Sequence, residues 1–293
     1  MPEGHTLHRL AETLVEHFAG RRVEVSSPQG RFAEEAAALD GGFVEGAEAW
    51  GKHLFVEFEG ERFVHVHLGL YGKLDVYDGA PPAPVGQVRM RLVTPWRDGG
   101  AAEPDEGARA SYADLRGATA CELVTDDRRA AIVERLGADP LRKDADPDAA
   151  WARISRSRTA IGALLMDQSV VAGVGNVYRA EVLFRHRIHP LRPGNTLRRG
   201  QFEGIWEDLV TLMAEGVATG RIDTVRPEHT PEAMGREPRR DDHGGEVYVY
   251  RRHDRPCHVC GAKVRTEVLA ARNSFWCPRC QPKFRSRARS ASL

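Results

Sequence analysis

The chain has little cysteine and no long apolar run. Its 293 residues include only five cysteines, too few for a disulfide framework in a chain of this size. No apolar stretch approaches the ~20 residues that a membrane-spanning helix needs. The first twenty residues carry Glu3, Arg9, Glu12 and Glu16 and lack an apolar segment, so no secretory signal peptide is predicted. These absences favour a protein of the reducing cytoplasm.

Net charge is absent as well, because 42 Lys and Arg residues balance 42 Asp and Glu residues. The balance is uneven along the chain: residues 251–293 carry eleven Lys and Arg against only Asp254 and Glu267. A charged run is commonly no more than a solvated face. Here the basic excess coincides with paired cysteines, and a basic, metal-stapled segment is a common way to meet nucleic-acid phosphates.

Four of the cysteines form two C-x-x-C pairs that are separated by sixteen residues: Cys257, Cys260, Cys277 and Cys280. This spacing predicts one tetrahedral zinc ion held by four thiolates. A site with four protein ligands has no open position, so the zinc is predicted to be structural. Two disulfides are the alternative, and Cys121 stands alone.

The segment between the cysteine pairs predicts a β-hairpin with strands at 266–269 and 274–276. Arg272 then lies at or near the tip of a metal-stapled loop. It is either a solvated turn arginine or a phosphate contact made by a forked guanidinium.

Hydrophobic periodicity divides the rest of the chain. Apolar residues at helical spacing predict a helix over 5–18, and alternation over 54–58 and 63–68 predicts a β-hairpin. Strand character continues to about residue 125 and alternation returns at 247–250. Loops are predicted at 78–87, 97–110 and 219–245. Helices are predicted at 128–136, 147–154, 160–166, 177–184 and 197–217.

Pro2 becomes an N-terminal secondary amine once Met1 is removed. Terminal amines have a pKa of about 7.7–8.0, so such a group can act as a nucleophile at neutral pH. Glu3 follows directly and supplies a carboxyl group for proton transfer. This pairing alone is a weak signal, since many chains begin with Pro-Glu.

Five further side chains stand out, in three groups that each have a structural alternative. Lys52 precedes the first hairpin strand, where a lysine is commonly surface decoration. Leu70 and Tyr71 lie in a glycine-flanked loop and are either core residues or a wedge that replaces an extruded base. His65 and His67 share one strand face and by themselves favour structural roles.

Together these segments resemble the formamidopyrimidine-DNA glycosylase / endonuclease VIII family of base-excision repair enzymes. The resemblance covers the whole chain apart from two loops and the last dozen residues. It depends on the motifs at residues 2–4, 51–54, 67–69, 136–141, 165–168, 171–178, 249–252 and 277–281.

The resemblance implies an α+β multidomain fold. An N-terminal antiparallel β-sandwich with a leading helix would span residues 1–125. A helix–two-turn–helix DNA-binding domain would span 126–245, followed by a zinc finger at 246–282 and a basic tail at 283–293.

The resemblance also implies a set of catalytic roles. Pro2 would attack the anomeric carbon of the sugar and form a Schiff base, with Glu3 as its acid and base. Lys52 would contact phosphate and assist β-elimination. Arg272 would grip the phosphates that flank the lesion and support δ-elimination. Asn176 would hydrogen-bond a further phosphate.

The remaining DNA contacts bear on the branch of the family. Arg135 is a further candidate phosphate contact. Three features resemble the endonuclease VIII branch of actinobacterial type. They are Gly4 near the start, the Leu70-Tyr71 wedge in place of a methionine, and Arg116 in a segment without phenylalanine. That branch implies oxidised pyrimidines as substrates.

The partners follow from the same resemblance. They are damaged DNA and one structural Zn²⁺, with no small-molecule cofactor, and the protein is expected to be a monomer associated with the nucleoid. Two alternatives stay open: an oxidised-purine glycosylase of the same fold, and a non-catalytic zinc-ribbon protein that binds damaged DNA.

Overall fold

The computed structural model describes residues 2–94, 110–240 and 245–284. These residues form two compact units, Met1–Leu136 and Gly137–Leu293. Most of the predicted loop at 97–110 and of the predicted tail at 283–293 lies outside the described residues. No helix in the described ranges is both long and apolar enough to cross a bilayer.

The first unit contains three helices and nine strands within its described residues. They are α1 (Gly4–Phe18), β1 (Arg21–Arg22), β2 (Glu24–Ser26), α2 (Ala33–Leu39), β3 (Phe43–Trp50), β4 (His53–Phe58), β5 (Arg62–His67), β6 (Lys73–Asp78), β7 (Val88–Val93), β8 (Ser111–Arg116), β9 (Ala120–Thr125) and α3 (Asp126–Val133). The N-terminal helix and the β4–β5 hairpin are confirmed within a residue of their predicted bounds.

Helix α1 forms because its apolar residues recur on one face. Leu7, Leu14 and Phe18 are fully buried there, and Ala11 completes the face. Glu3 precedes the helix in an extended conformation. The helix ends at Ala19, which is again extended, so the chain turns directly into β1.

The strands form two antiparallel sheets, one in the order β1-β3-β4-β5-β9 and the other in the order β2-β7-β8-β6. A shared core contains Val56 and Val66 from the first sheet with Met90 and Leu115 from the second. Helices α1 and α2 add their apolar faces to it. The predicted sandwich with a leading helix is therefore confirmed.

The opposite face of the first sheet is partly covered as well. Phe55, Phe63 and Val124 are buried there against Ile132 and Val133 at the end of α3. Phe55 is buried on this face while Leu54 and Val56 are buried on the other, so β4 is covered on both sides.

The second unit is helical and ends in a β-hairpin. Its elements are α4 (Pro147–Ile154), α5 (Ile161–Leu164), α6 (Asn176–Arg185), α7 (Arg199–Thr219), α8 (Pro231–Met234), β10 (Arg265–Leu269) and β11 (Arg272–Trp276). Residues of α6 and α7 share one core with Cys257 and Phe275. The hairpin segment is therefore packed on the helices.

The predicted strand at 247–250 is wrong. The backbone N–H groups of Tyr248, Val249 and Tyr250 all donate to the carboxylate of Glu181, at 2.6–2.8 Å. The hydroxyl of Thr224 donates to the same carboxylate at 2.7 Å. Because one buried carboxylate satisfies these three amides, the segment needs no sheet partner.

Candidate active site and nucleic-acid interface

The Pro2–Glu3 pair lies at the start of α1. Pro2 is partly exposed, whereas Glu3 is completely buried. A carboxylate near a helix N-terminus is stabilised by the helix dipole, and burial holds it in one place. His5, the second residue of the helix, is also buried, and burial lowers its pKa to about 4. The amine candidate is therefore accessible beside a carboxyl group that is sheltered from water.

Lys52 occupies a tight turn. Trp50 pairs with His53 across the β3–β4 hairpin, so Gly51 and Lys52 alone form the connection. Gly51 has a φ of 58°, and a type II′ turn requires glycine at this first position. The lysine is therefore held at a hairpin tip, with a half-buried side chain.

Three histidines lie next to this turn, on β4 and β5. His53 Nδ1 is 2.9 Å from His65 Nε2, and His65 Nδ1 is 2.9 Å from Glu122 Oε1. His67 Nδ1 is 2.9 Å from the hydroxyl of Thr119. Burial, followed by the nearby His65, lowers the pKa of His53 to about 4 and also lowers the pKa of His67.

These shifts predict acid sensitivity. His5 and His53 have lowered pKa values in the folded chain, so the stability they contribute is complete above pH 6.5 and declines as the pH falls towards 4. At pH 5 each is expected to lower the free energy of unfolding by about 1–2 kcal/mol relative to pH 7.5. Urea unfolding at both pH values measures this, and His53→Asn should flatten the dependence. Equal stability at the two values would contradict it.

Leu70 and Tyr71 are the exposed tip of a glycine-bounded turn; Leu70 is 44% exposed and Tyr71 is 90% exposed. Gly72 donates its N–H to the carbonyl of Leu68, and a Cβ at Gly72 would lie 2.2 Å from that oxygen. Gly69 has a φ of 68°. Both glycines are required by this turn, which presents two large side chains to solvent and not to the core.

The two other arginines predicted to contact DNA also lie in the first unit. Arg116 ends β8 and donates to Asp114 at 2.8 Å, and Asp114 in turn binds the buried Arg91 through both oxygens. Arg135 follows α3 and is exposed. Arg116 is thus held by a carboxylate, whereas Arg135 lies on the open surface.

Asn176 lies at the first residue of α6, in the second unit, after a glycine-rich loop. Its Nδ2 donates to the carbonyl of Asn273 at 3.0 Å. Arg179, which is 1% exposed, binds Asn176 Oδ1 and donates to the carbonyls of Gly162 and Asn273, both at 3.2 Å. The start of α6 is thereby fixed to the finger hairpin.

Arg272 is the first residue of β11. It pairs with Leu269 across a turn formed by Ala270 and Ala271, which have φ values of 50° and 57°. Positive φ at both positions is typical of a type I′ hairpin turn. The exposed Arg272 precedes Asn273, whose carbonyl is bound by α6, so Arg272 and Asn176 lie in the same corner of the second unit.

The four paired cysteines converge as the spacing predicts. All four sulfur atoms lie within 4.8 Å of one another, in a set formed by Cys257, Cys260, Cys277 and Cys280. A tetrahedral zinc with Zn–S bonds of about 2.3 Å needs sulfur atoms about 3.8 Å apart. The Sγ–Sγ distances fit this requirement: 3.9 Å between Cys257 and Cys280, and 3.4 Å between Cys260 and Cys277.

The zinc site is docked on the helical unit through Gln281. This glutamine is completely buried; its amide donates to the carbonyl of Ile188 at 2.8 Å, and its oxygen accepts from the N–H of Cys277 at 2.9 Å. Gln281 therefore fixes the cysteine cluster on the helices, and with it the hairpin that carries Arg272.

Sequence reasoning missed Arg179, Glu181 and the His53–Glu122 connection. A usable signal existed for the first two, since Arg179 and Glu181 are charged residues within the otherwise apolar stretch 177–184. Pro2, Glu3 and Lys52 belong to the first unit, and the second contains the four cysteines, Asn176 and Arg272.

Family models match most of the chain. Residues 1–121 match the formamidopyrimidine-DNA glycosylase N-terminal domain, and residues 136–227 match the H2TH domain of the same enzymes. Residues 255–283 match a zinc finger found in FPG and IleRS. The last match, together with the sulfur geometry, supports a structural zinc ion held by the four cysteines.

Individual relatives extend the match to 96% of the chain. Endonuclease 8 1 of Mycobacterium tuberculosis is 53% identical over 288 residues, covering 96% of this chain and 100% of the relative. Formamidopyrimidine-DNA glycosylase of Thermomicrobium roseum is 33% identical, covering 80% of each chain. A crystal structure of Lactococcus lactis Fpg with N7-benzyl-Fapy-dG DNA matches at 22% identity with a TM-score of 0.74, over 96% of this chain and 100% of that one. The chain therefore belongs to the formamidopyrimidine-DNA glycosylase / endonuclease VIII family of DNA glycosylases and abasic-site lyases.

Proposed function

We propose that this chain removes oxidised pyrimidines from DNA through a Pro2 Schiff base and then cuts the strand by β,δ-elimination. The observation that carries the proposal is the partly exposed Pro2 directly beside the completely buried Glu3, at the start of a helix in a member of this family. The protein acts as a monomer in the cytoplasm, on the nucleoid, with one structural zinc and no small-molecule cofactor.

The chemistry begins with base extrusion, which costs a few kcal/mol because the target must leave the stack. The Pro2 nitrogen attacks C1′, the glycosidic bond breaks, and Glu3 supplies the proton that opens the sugar and assists departure of the base. A secondary amine yields a permanently charged iminium. This electron sink acidifies the C2′ proton, whose loss expels the 3′ phosphate. A second elimination then expels the 5′ phosphate.

Phosphate contacts hold the strand during these steps. Lys52, at its hairpin tip, binds phosphate and assists the first elimination. Arg272 and Asn176 bind the phosphates that flank the lesion, and Arg272 supports the second elimination. Arg135 and Arg116 add contacts that hold the strand without reading its sequence.

Leu70 and Tyr71 fill the space that the extruded base leaves. Their exposure at the tip of a glycine-bounded turn supports this role, because a core function would have buried them. Apolar wedges of this kind stabilise a kinked duplex after a base has left the stack.

Three sequence features favour pyrimidines: Gly4, the Leu70-Tyr71 wedge, and the segment Asp114-Leu115-Arg116-Gly117, which lacks a phenylalanine. The 53% identical relative is named an endonuclease 8, in line with this branch. The second candidate is oxidised-purine excision, favoured by the relatives that are named formamidopyrimidine-DNA glycosylases.

A panel of three duplexes tests the proposal. One carries thymine glycol, one carries dihydrouracil, and one carries 8-oxoguanine opposite cytosine. We expect single-turnover excision of the two pyrimidines to be at least about tenfold faster than that of 8-oxoguanine, a difference of ~1.4 kcal/mol in activation free energy. Excision of 8-oxoguanine at an equal or higher rate would favour the purine alternative. Binding without cleavage of any duplex would favour the non-catalytic alternative.

A further inference from the structure

One face of the first sheet changes character along β4 and β5. Away from the Lys52 turn it is apolar, with Phe55, Phe63 and Val124 buried together. Next to the turn it carries the half-buried His53 and the buried His65, and desolvation lowers the pKa of His53. The ring of Phe55 stacks on that of His65 at 5.0 Å, so the polar groups continue directly from the apolar cluster.

The hydrogen bonds of these side chains form a directed chain. The carboxylate of Glu122 only accepts, so His65 donates Nδ1–H to it and presents Nε2 as an acceptor. His53 then donates its Nδ1–H to His65 Nε2, 2.9 Å away, which leaves its own Nε2 unprotonated. The two rings are nearly coplanar, with an interplanar angle of 17° and centroids 5.1 Å apart, as an in-plane N–H···N bond requires.

His67 has the same tautomer for a similar reason. The hydroxyl of Thr119 donates to the carbonyl of His67, so its oxygen accepts from His67 Nδ1–H, 2.9 Å away. The ring of His67 lies 5.1 Å from that of His53, and the charge of Lys52 acts on it. The neutral imidazoles of His53 and His67, each with an Nε2 atom that can accept a proton, thus lie on the strands next to the Lys52 turn.

The hydrogen-bonded series Glu122–His65–His53 lies next to the Lys52 turn, and this position indicates what it does. His53 is the residue directly after Lys52 and the first residue of β4. The residue whose ring Glu122 and His65 orient is therefore also the one that pairs with Trp50 to close the two-residue turn. Glu122 and His65 are cross-strand partners on β9 and β5, which gives the anchor a rigid base.

We propose that the Glu122–His65–His53 chain positions Lys52 for the elimination step. This inference depends on the proposed lyase function, in which Lys52 assists β-elimination after the Schiff base has formed. The chain acts through Lys52 and not on Pro2, so its loss should slow elimination without preventing imine formation.

The test compares two measurements on a duplex with a preformed abasic site, namely the rate of strand cleavage and the yield of borohydride-trapped imine. Glu122→Leu and His65→Leu should lower the cleavage rate at least about tenfold, ~1.4 kcal/mol in activation free energy. The trapped imine should persist or accumulate, because the substitutions act on elimination and not on the attack by Pro2. Glu122→Gln keeps an acceptor for His65 and should restore cleavage to within about threefold of wild type.

Glu57→Gln is the matched control and should cleave DNA at the normal rate. It makes an equal change of charge on β4, the strand of His53, but Glu57 is not part of the Glu122–His65–His53 series. Glu122 is about half exposed, so its variants are expected to fold. They test the positioning role even if His65→Leu fails to fold. Normal cleavage by folded Glu122→Leu would overturn the positioning role. An absence of trapped imine in the wild-type protein would instead overturn the proposed function itself.

Discussion

Replacing Glu3 with glutamine is expected to lower the rate of base excision by about 10²–10⁴-fold, the range that a positioned acid or base contributes. The side chain keeps its size in a completely buried position, but it can no longer transfer a proton. Cleavage at a preformed abasic site should fall less, because the base has already departed. Single-turnover kinetics on a thymine glycol duplex and on an abasic duplex measure both effects.

Glu12→Gln is the matched control for this substitution. It makes the same change of charge on the same helix, at an exposed position, and should excise at the wild-type rate. Excision by Glu3→Gln within about twofold of wild type would exclude Glu3 as the acid. An equal loss of both activities would point to a structural defect in α1, which circular dichroism and Tm would reveal.

Replacing Cys277 with serine is expected to remove the zinc ion and to lower DNA affinity by at least about tenfold. A four-thiolate site contributes its binding free energy to folding, so the loss of one ligand releases the hairpin that carries Arg272. Trp276 is buried next to Cys277, and its fluorescence should shift to longer wavelength as it meets water. Metal content, emission spectra and DNA titration measure the three effects.

Cys121→Ser provides the control for the zinc prediction. Cys121 is buried in the first unit, where burial raises the pKa of its thiol to about 12 and keeps it inert. This variant should retain one zinc ion per chain and the wild-type affinity. Full DNA affinity in metal-free Cys277→Ser would show that the finger is dispensable for binding.

Local patterns predicted much of the fold. Helix α1, the β4–β5 hairpin and the finger hairpin are encoded in periodicity and turn residues within a few positions of each other. The segment 247–250 shows where this fails. Its alternation resembles a strand, but its amides bind Glu181, 67 to 69 residues away in the chain. No local pattern records such a contact.

The residues of the candidate site could also be predicted from the sequence, but the contacts between them could not. Pro2, Glu3, Lys52 and the cysteines could be named because their residue types and spacing carry the chemistry. The connections between residues could not, since Asn176 binds Asn273 across 97 positions and His65 binds Glu122 across 57. A single sequence shows which groups are present, while the fold decides which of them are neighbours.

The chemistry at Pro2 is tested most directly by locating the covalent adduct. The processed protein is incubated with an abasic-site duplex, reduced with borohydride, digested with trypsin and analysed by mass spectrometry. We expect the sugar adduct on the peptide of residues 2–9, at the nitrogen of Pro2, and no adduct when Met1 is retained, because that nitrogen is then an amide. An adduct on the peptide that contains Lys52, or none at all, would contradict the assignment of Pro2 as the nucleophile.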